Sequence, residues 1–167
     1  MNGGSGNDTY DVDNTMDTVT ESSGGGTDTV RSSVTFTLGT NVENLILTGT
    51  GNIAASGNSS ANVLTGNIGD NTLNGGSGSD TMSGGLGNDT LTASGNATFH
   101  GGAGDDRLII DDFNGDPQRV DGGSGIDTVA ADGFDGPMDL SGDFRNFFQD
   151  VEIIDLSGSK ANVLTLN

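Results

Sequence analysis

The chain has 167 residues, of which 31% are hydrophobic, with one Tyr and no Trp, so a conventional thick hydrophobic core is not expected. A formal net charge of −19 argues against partners such as nucleic-acid phosphates or anionic membrane surfaces, and it favours cations. No Cys is present, which excludes disulfides and thiolate metal sites, and no apolar run approaches the roughly 20 residues of a membrane-spanning helix.

Residues 1–31 open with the motif Gly-Gly-x-Gly-x-Asp-x-U, in which U is a large apolar residue, at positions 3–10. A second copy, in which Ser replaces the first Gly, brings Asp28 into the frame of Asp8. The spacing predicts that these two aspartates share one edge of the fold. We interpret this stretch as the end of a first repeat block.

Residues 32–48 lose the glycine motif. Within them Val34, Phe36 and Leu38 alternate with polar residues, which is typical of a half-buried strand. We therefore expect a non-repeat strand segment that caps or joins repeat blocks.

Residues 49–129 hold the main series of repeats, with four complete motifs and two copies in which Asn replaces Asp. Each nine-residue copy supplies one loop and one very short strand, so two copies make one turn of a flattened solenoid. Loops two copies apart then stack on the same edge. The register predicts one edge with Asn71, Asp89, Asp106 and Asp127, and an opposite edge with Asn62, Asp80, Ala97 and Gln118.

Residues 130–150 replace the repeats with an apolar insertion that contains Phe134, Phe144, Phe147 and Phe148. The insertion is expected to plug an open end or side of the roll, and a ligand or partner surface is the alternative. Residues 151–167 repeat the plan of the segment around Val42-Glu43, so we read them as the start of a further repeat block and expect the parent polypeptide to continue with adjoining domains.

The loops carry the residue types that Ca²⁺ prefers. Glycines permit a tight loop with exposed carbonyl groups, and Asp supplies a hard carboxylate ligand. Stacked aspartates would repel one another unless a cation lay between them. The predicted metal-binding residues are Gly4, Gly6, Asp8, Gly26, Asp28, Asn71, Gly76, Gly78, Asp80, Gly85, Gly87, Asp89, Gly102, Gly104, Asp106, Gly123, Gly125 and Asp127.

The repeated motif resembles that of the repeats-in-toxin (RTX) family of secreted bacterial proteins. The resemblance implies an all-β fold, a right-handed parallel β-roll of nonapeptide repeats loaded with several Ca²⁺ ions and carrying a short apolar non-repeat insertion. It also implies export through a type I secretion channel, folding outside the cell where calcium is abundant, and a location that is extracellular or on the bacterial surface.

We expect a calcium-binding structural module rather than an enzyme, because the sequence has neither a nucleophile elbow nor a His-Glu-x-x-His zinc motif. An adhesin is the parent protein that we favour. Two alternatives stay open: a module that recognises polysaccharide or a cell surface through the Phe-rich insertion, and an accessory module of a secreted protease, lipase or alginate epimerase.

Overall fold

The computed structural model describes residues 1–110, 119–131, 138–139, 148–157 and 164–165. Every regular element in these ranges is a β-strand, and none of the described residues forms a helix that is long and apolar enough to cross a membrane. The strands are β1 (Thr9–Val12), β2 (Thr29–Ser32), β3 (Phe36–Thr37), β4 (Asn44–Leu47), β5 (Ala54–Ser56), β6 (Val63–Thr65), β7 (Thr72–Ser77), β8 (Thr81–Leu86), β9 (Thr90–Ser94), β10 (Thr98–Ala103), β11 (Arg107–Ile110), β12 (Arg119–Ser124), β13 (Thr128–Ala131), β14 (Met138–Asp139), β15 (Phe148–Gln149), β16 (Ile153–Asp155) and β17 (Leu164–Thr165).

Two parallel sheets make up the body of the fold. The eight-stranded sheet has the order β1-β2-β4-β6-β8-β10-β12-β15, and the seven-stranded sheet has the order β16-β13-β11-β9-β7-β5-β3. From β3 to β13 the strands alternate between the two sheets, so each turn of the chain adds one strand to each. A separate short pair joins β14 to β17. The architecture is a parallel β-solenoid, which confirms the predicted β-roll.

The interior is one apolar layer per sheet. Inward residues stack in register along the eight-stranded sheet, as in the run from Leu64 through Met82 and Phe99 to Val120. The facing sheet stacks Leu73, Leu91, Leu108 and Val129 in the same way. These positions follow the frame of residue U in the nonapeptide, and all eight side chains are completely buried.

The non-repeat segment 32–48 lies within the same two sheets. Its strand β4 pairs with both β2 and β6, and β3 pairs with β5. A repeat of irregular length does not interrupt the strand pairing, because Thr81 of β8 still pairs with Thr98 of β10 in register. The eight-stranded sheet therefore runs without interruption from β1 to β12, and the seven-stranded sheet from β3 to β13.

The Phe-rich insertion falls mostly outside the described residues, including Phe134, Phe144 and Phe147. Phe148 is described: it lies in β15, pairs with Val120 of β12 and packs against the core. Gln118 also lies outside the described residues, whereas Ala97 is buried just before β10.

Candidate metal centre

One residue immediately precedes each strand, and these residues form two stacks along the edges of the roll. The first stack precedes the strands of the eight-stranded sheet, and the second stack precedes those of the seven-stranded sheet from β7 onwards. The first stack contains Asp8, Asp28, Glu43, Asn62, Asp80 and Ala97, and the second contains Asn71, Asp89, Asp106, Asp127 and Glu152. The predicted edges are confirmed wherever the residues are described.

The loops that present these residues depend on glycine. Gly104, at φ +127°, shows why: a Cβ atom added there would overlap the carbonyl oxygen of Gly87 in the preceding loop. Gly125 stands in the same relation to Gly104. Successive loops therefore stack closely, with backbone carbonyl groups facing the gap between them.

In the second stack, one carboxylate oxygen of each acidic residue accepts a hydrogen bond from the backbone of the previous turn. Asn71 N–H donates to Asp89 Oδ1 at 2.6 Å, and Asp89 N–H donates to Asp106 Oδ1 at 2.7 Å. The series continues from Asp106 N–H to Asp127 Oδ1 at 2.8 Å and from Asp127 N–H to Glu152 Oε2 at 2.9 Å. The stack is one continuous ladder of side chain to backbone contacts.

The first stack repeats this arrangement at its beginning. Asp8 N–H donates to Asp28 Oδ1 at 2.9 Å, and Asp28 N–H donates to Glu43 Oε2 at 2.8 Å. Asn62 N–H donates to Asp80 Oδ1 at 2.9 Å. At Ala97 no side chain is available to continue the ladder, so carboxylates end there among the described residues of this stack.

The second oxygen of each nonapeptide aspartate is buried without a partner. This holds for Oδ2 of Asp8, Asp28, Asp80, Asp89, Asp106 and Asp127. A buried carboxylate oxygen with no hydrogen bond is costly unless a cation binds it. In five of these loops Oδ2 lies where a side chain on the first glycine of the motif would begin, so the missing Cβ leaves room at the oxygen.

The buried setting of the stacked aspartates disfavours their negative charge. Burial is the main cause that raises the pKa of Asp89 to about 6 and that of Asp106 to about 7. For Asp106 the charges of Asp89, Asp127 and Asp105 raise the pKa further, against a hydrogen bond from the Asp89 backbone that lowers it. Burial also raises the pKa of Asp80 and Asp127.

Within the described residues, the ion pairs lie away from both stacks. Arg31 contacts Asp11 at 3.8 Å, and Arg107 contacts Asp155 at 3.3 Å. Protein cations therefore do not neutralise the stacked aspartates there. Hard carboxylate and carbonyl oxygens in an irregular arrangement match the preference of Ca²⁺, so the site fits that ion.

Comparison with protein families supports this match. Residues 56–91 and residues 92–109 each match the family model of the RTX calcium-binding nonapeptide repeat (4 copies). Residues 56–109 are therefore RTX calcium-binding repeats, and the parallel solenoid fits an RTX β-roll. RTX nonapeptide repeats bind Ca²⁺, so calcium is the ion of these loops. A search of curated proteins gave no match.

Asparagine takes a different part in the RTX loops. Asn71 Oδ1 accepts a hydrogen bond from Asn67 N–H at 2.7 Å, and Asn71 Nδ2 donates to the Ile53 carbonyl oxygen at 3.2 Å. Asn62 makes the equivalent contacts with Asn58 N–H and the Val42 carbonyl oxygen. Each amide therefore has protein partners for both its oxygen and its nitrogen.

The structure brings the predicted site residues into the two stacks and the glycine loops between them. Every predicted glycine has a positive φ angle. Sequence reasoning did not include Glu21, Glu43 or Glu152 among the site residues, although they are the three Glu residues of the whole chain. Their rarity, and the frame shared by Val42-Glu43 and Val151-Glu152, were the signals that could have revealed them.

Proposed function

We propose that this chain is a calcium-triggered structural module of a secreted or surface-attached bacterial protein and that it folds on binding Ca²⁺ after export. The RTX repeats indicate a calcium-binding module of a secreted bacterial protein. Beyond this, we propose that Ca²⁺ triggers folding, which residues bind it, and what kind of parent protein carries the module.

The six aspartate Oδ2 atoms that are buried without a partner carry this proposal. The apolar interior is only one layer per sheet, so it offsets chain entropy weakly. Removing the ions would leave a line of buried like charges along each edge of the roll. Ion binding and folding should therefore be the same event.

We propose as ligands the aspartates of the two stacks together with carbonyl groups of the glycine loops that face them. From Asp28 onwards, Oδ1 of each stacked Asp is fixed by the previous turn, which sets the orientation of Oδ2 in the folded roll. Asn71, whose amide already has protein partners, would contribute less than its neighbour Asp89. Glu43 and Glu152 extend the two ladders beyond the nonapeptide aspartates and join the proposed set.

An adhesin is the parent that we propose. A solenoid whose sheets continue through a non-repeat segment can extend a chain by adding turns, because each turn contacts only its neighbours. Such a module suits a stalk that separates a binding domain from the cell. Locating the parent polypeptide on the surface of the source bacterium or in its medium tests this assignment.

The folding proposal is tested by circular dichroism and calorimetry during a calcium titration. Without calcium the chain should be largely disordered, and with it β-structure should appear cooperatively. Mg²⁺ at the same concentration is the control, and it should substitute poorly because it prefers an octahedral, water-rich shell. An unchanged spectrum and melting temperature in excess chelator would contradict the proposal.

A further inference from the structure

Three acidic side chains meet at the beginning of the roll. Asp8 and Asp28 belong to the first stack, whereas Glu21 comes from the chain between β1 and β2, outside any complete nonapeptide. One carboxylate oxygen from each lies within 4.8 Å of the other two. At the 2.3–2.6 Å typical of calcium–oxygen contacts, two oxygens on opposite sides of one ion are about 4.6–5.2 Å apart, so oxygens within 4.8 Å of one another can share a single ion.

Hydrogen bonds hold Glu21 in place and leave one of its oxygens free. Oε1 accepts from Gly3 N–H at 3.0 Å and from the Tyr10 hydroxyl group. Oε2 is buried and has no partner, in a residue that is only 6% exposed. Oδ2 of Asp28, a residue with 0% exposure, is in the same condition.

Backbone oxygens converge on the same place. A Cβ atom added to buried Gly25 would lie 3.1 Å from Glu21 Oε2, 3.1 Å from the Gly4 carbonyl oxygen and 3.2 Å from the Ser22 carbonyl oxygen. The absent side chain therefore leaves a small space that is bordered by hard oxygen donors. Arg31, on β2, contacts Asp11 rather than this cluster.

We propose that Asp8, Glu21 and Asp28 form a three-carboxylate calcium site that is distinct from the sites between nonapeptide loops. Asp8 and Asp28 are already among the calcium ligands of the proposed function, so for these two residues the inference rests on that function. Glu21 adds a third negative charge from a non-repeat segment. Because affinity for Ca²⁺ rises with the charge of the ligand set, this site fills before the sites that two aspartates form. The bound ion would connect the segment between β1 and β2 to the loops that contain Asp8 and Asp28.

Terbium(III) is a suitable probe because it replaces Ca²⁺ at oxygen sites and its emission is sensitised by a nearby tyrosine. The chain has one Tyr and no Trp. The hydroxyl group of Tyr10 contacts Glu21, so emission excited through tyrosine reports on an ion at this end of the roll. The wild type should show one saturable sensitised site, and Ca²⁺ should displace Tb³⁺ from it.

Glu21→Gln should weaken Tb³⁺ and Ca²⁺ binding at this site by ~10-fold or more, because it removes one charged ligand. Asp13→Asn is the matched control, because it also removes one negative charge, from an exposed carboxylate between β1 and β2 that belongs to neither stack, and it should leave the sensitised titration unchanged. Equal affinity in the wild type and Glu21→Gln would overturn the three-carboxylate site.

Circular dichroism of the same samples separates this inference from the proposed function. Normal calcium-induced folding without any sensitised emission would reject the three-carboxylate site alone, and loss of both signals would reject both. If Glu21→Gln prevents folding, Tb³⁺ lifetimes of the wild type in H₂O and D₂O count the bound waters. Few waters would support the site, and a nearly complete water shell would overturn it.

Discussion

Asp106 lies at the centre of the longest run of carboxylates, and its replacement by Ala tests the proposed ion sites. Its Oδ1 accepts a hydrogen bond from Asp89 N–H, and its own N–H donates to Asp127 Oδ1. The residues above and below it in the stack are both aspartates. In the proposed arrangement Asp106 is therefore shared by two ions.

The size of the effect follows from the two lost ions. An ion present at 100 times its dissociation constant stabilises the folded state by about 2.7 kcal/mol, so two ions contribute about 5 kcal/mol. The N–H of Asp89 is also left without its acceptor, which adds about 1–3 kcal/mol. Asp106→Ala should thus lower the free energy of unfolding by roughly 6–8 kcal/mol in calcium.

Asp80→Ala is the comparison because Asp80 makes the same backbone contact, from Asn62 N–H to its Oδ1. The next residue in its stack is Ala97, which offers no carboxylate, so only one ion should weaken. The expected loss is roughly 4–6 kcal/mol, about one ion less than for Asp106→Ala.

Calorimetric titration should count the ions, and thermal unfolding at fixed calcium should measure the stability of each variant. Asp121→Ala serves as a control, since Asp121 lies outside both stacks and contacts His100 at 3.7 Å. Asp106→Ala should lose two ions and Asp80→Ala one. Equal losses of ions and of stability in the two variants would refute the shared role of Asp106.

Two further predictions concern pH and Asn71. In the calcium-free fold the pKa values of Asp89 and Asp106 are raised to about 6 and about 7, so the folded state binds more protons than the unfolded state and its stability falls as pH rises from about 4 to 7. The calcium-free chain should therefore gain β-structure in its circular dichroism spectrum as the pH falls from about 7 to about 4, and a pH-independent spectrum in excess chelator would contradict this. Asn71→Asp should add one calcium ion next to Asp89 and lower stability in chelator, because the new carboxylate cannot donate to the Ile53 carbonyl oxygen. An unchanged ion count would show that position 71 takes no part in binding.

The sequence predicted the parallel solenoid and its edges because both follow from periodicity. Glycine suits the positive φ angles of the loops, and the apolar residue U faces the thin interior at a fixed distance from each loop, so the nonapeptide largely determines the register. One repeat is shorter than the others, yet the stacking register is kept: Asp89 and Asp106, 17 residues apart, still share a hydrogen bond. The prediction that Asp8 and Asp28 share an edge is likewise confirmed by the bond from Asp8 N–H to Asp28 Oδ1.

The glutamates were not predictable from the motif because they do not stand in it. Glu43 follows a segment without glycine loops, and its longer side chain reaches the backbone N–H that an aspartate reaches elsewhere. Glu21 does not immediately precede a β-strand. The register of the repeats therefore does not place it beside Asp8 and Asp28. Only the folded path of residues 13–28 brings these three side chains together.

Neighbouring turns of the roll are connected at their edges in two ways. The difference is one side-chain atom, the amide nitrogen of Asn or the second carboxylate oxygen of Asp. Where the stack residue is Asn, the amide nitrogen donates to carbonyl groups of the previous turn, as Asn62 and Asn71 do. Where it is Asp, that donor is missing and an oxygen is left buried without a partner. We therefore expect the gaps at Asn62 and Asn71 to depend less on an ion than the gaps between stacked aspartates. Because each turn of a solenoid contacts only its neighbours, the proposed dependence on calcium should differ from turn to turn along the roll.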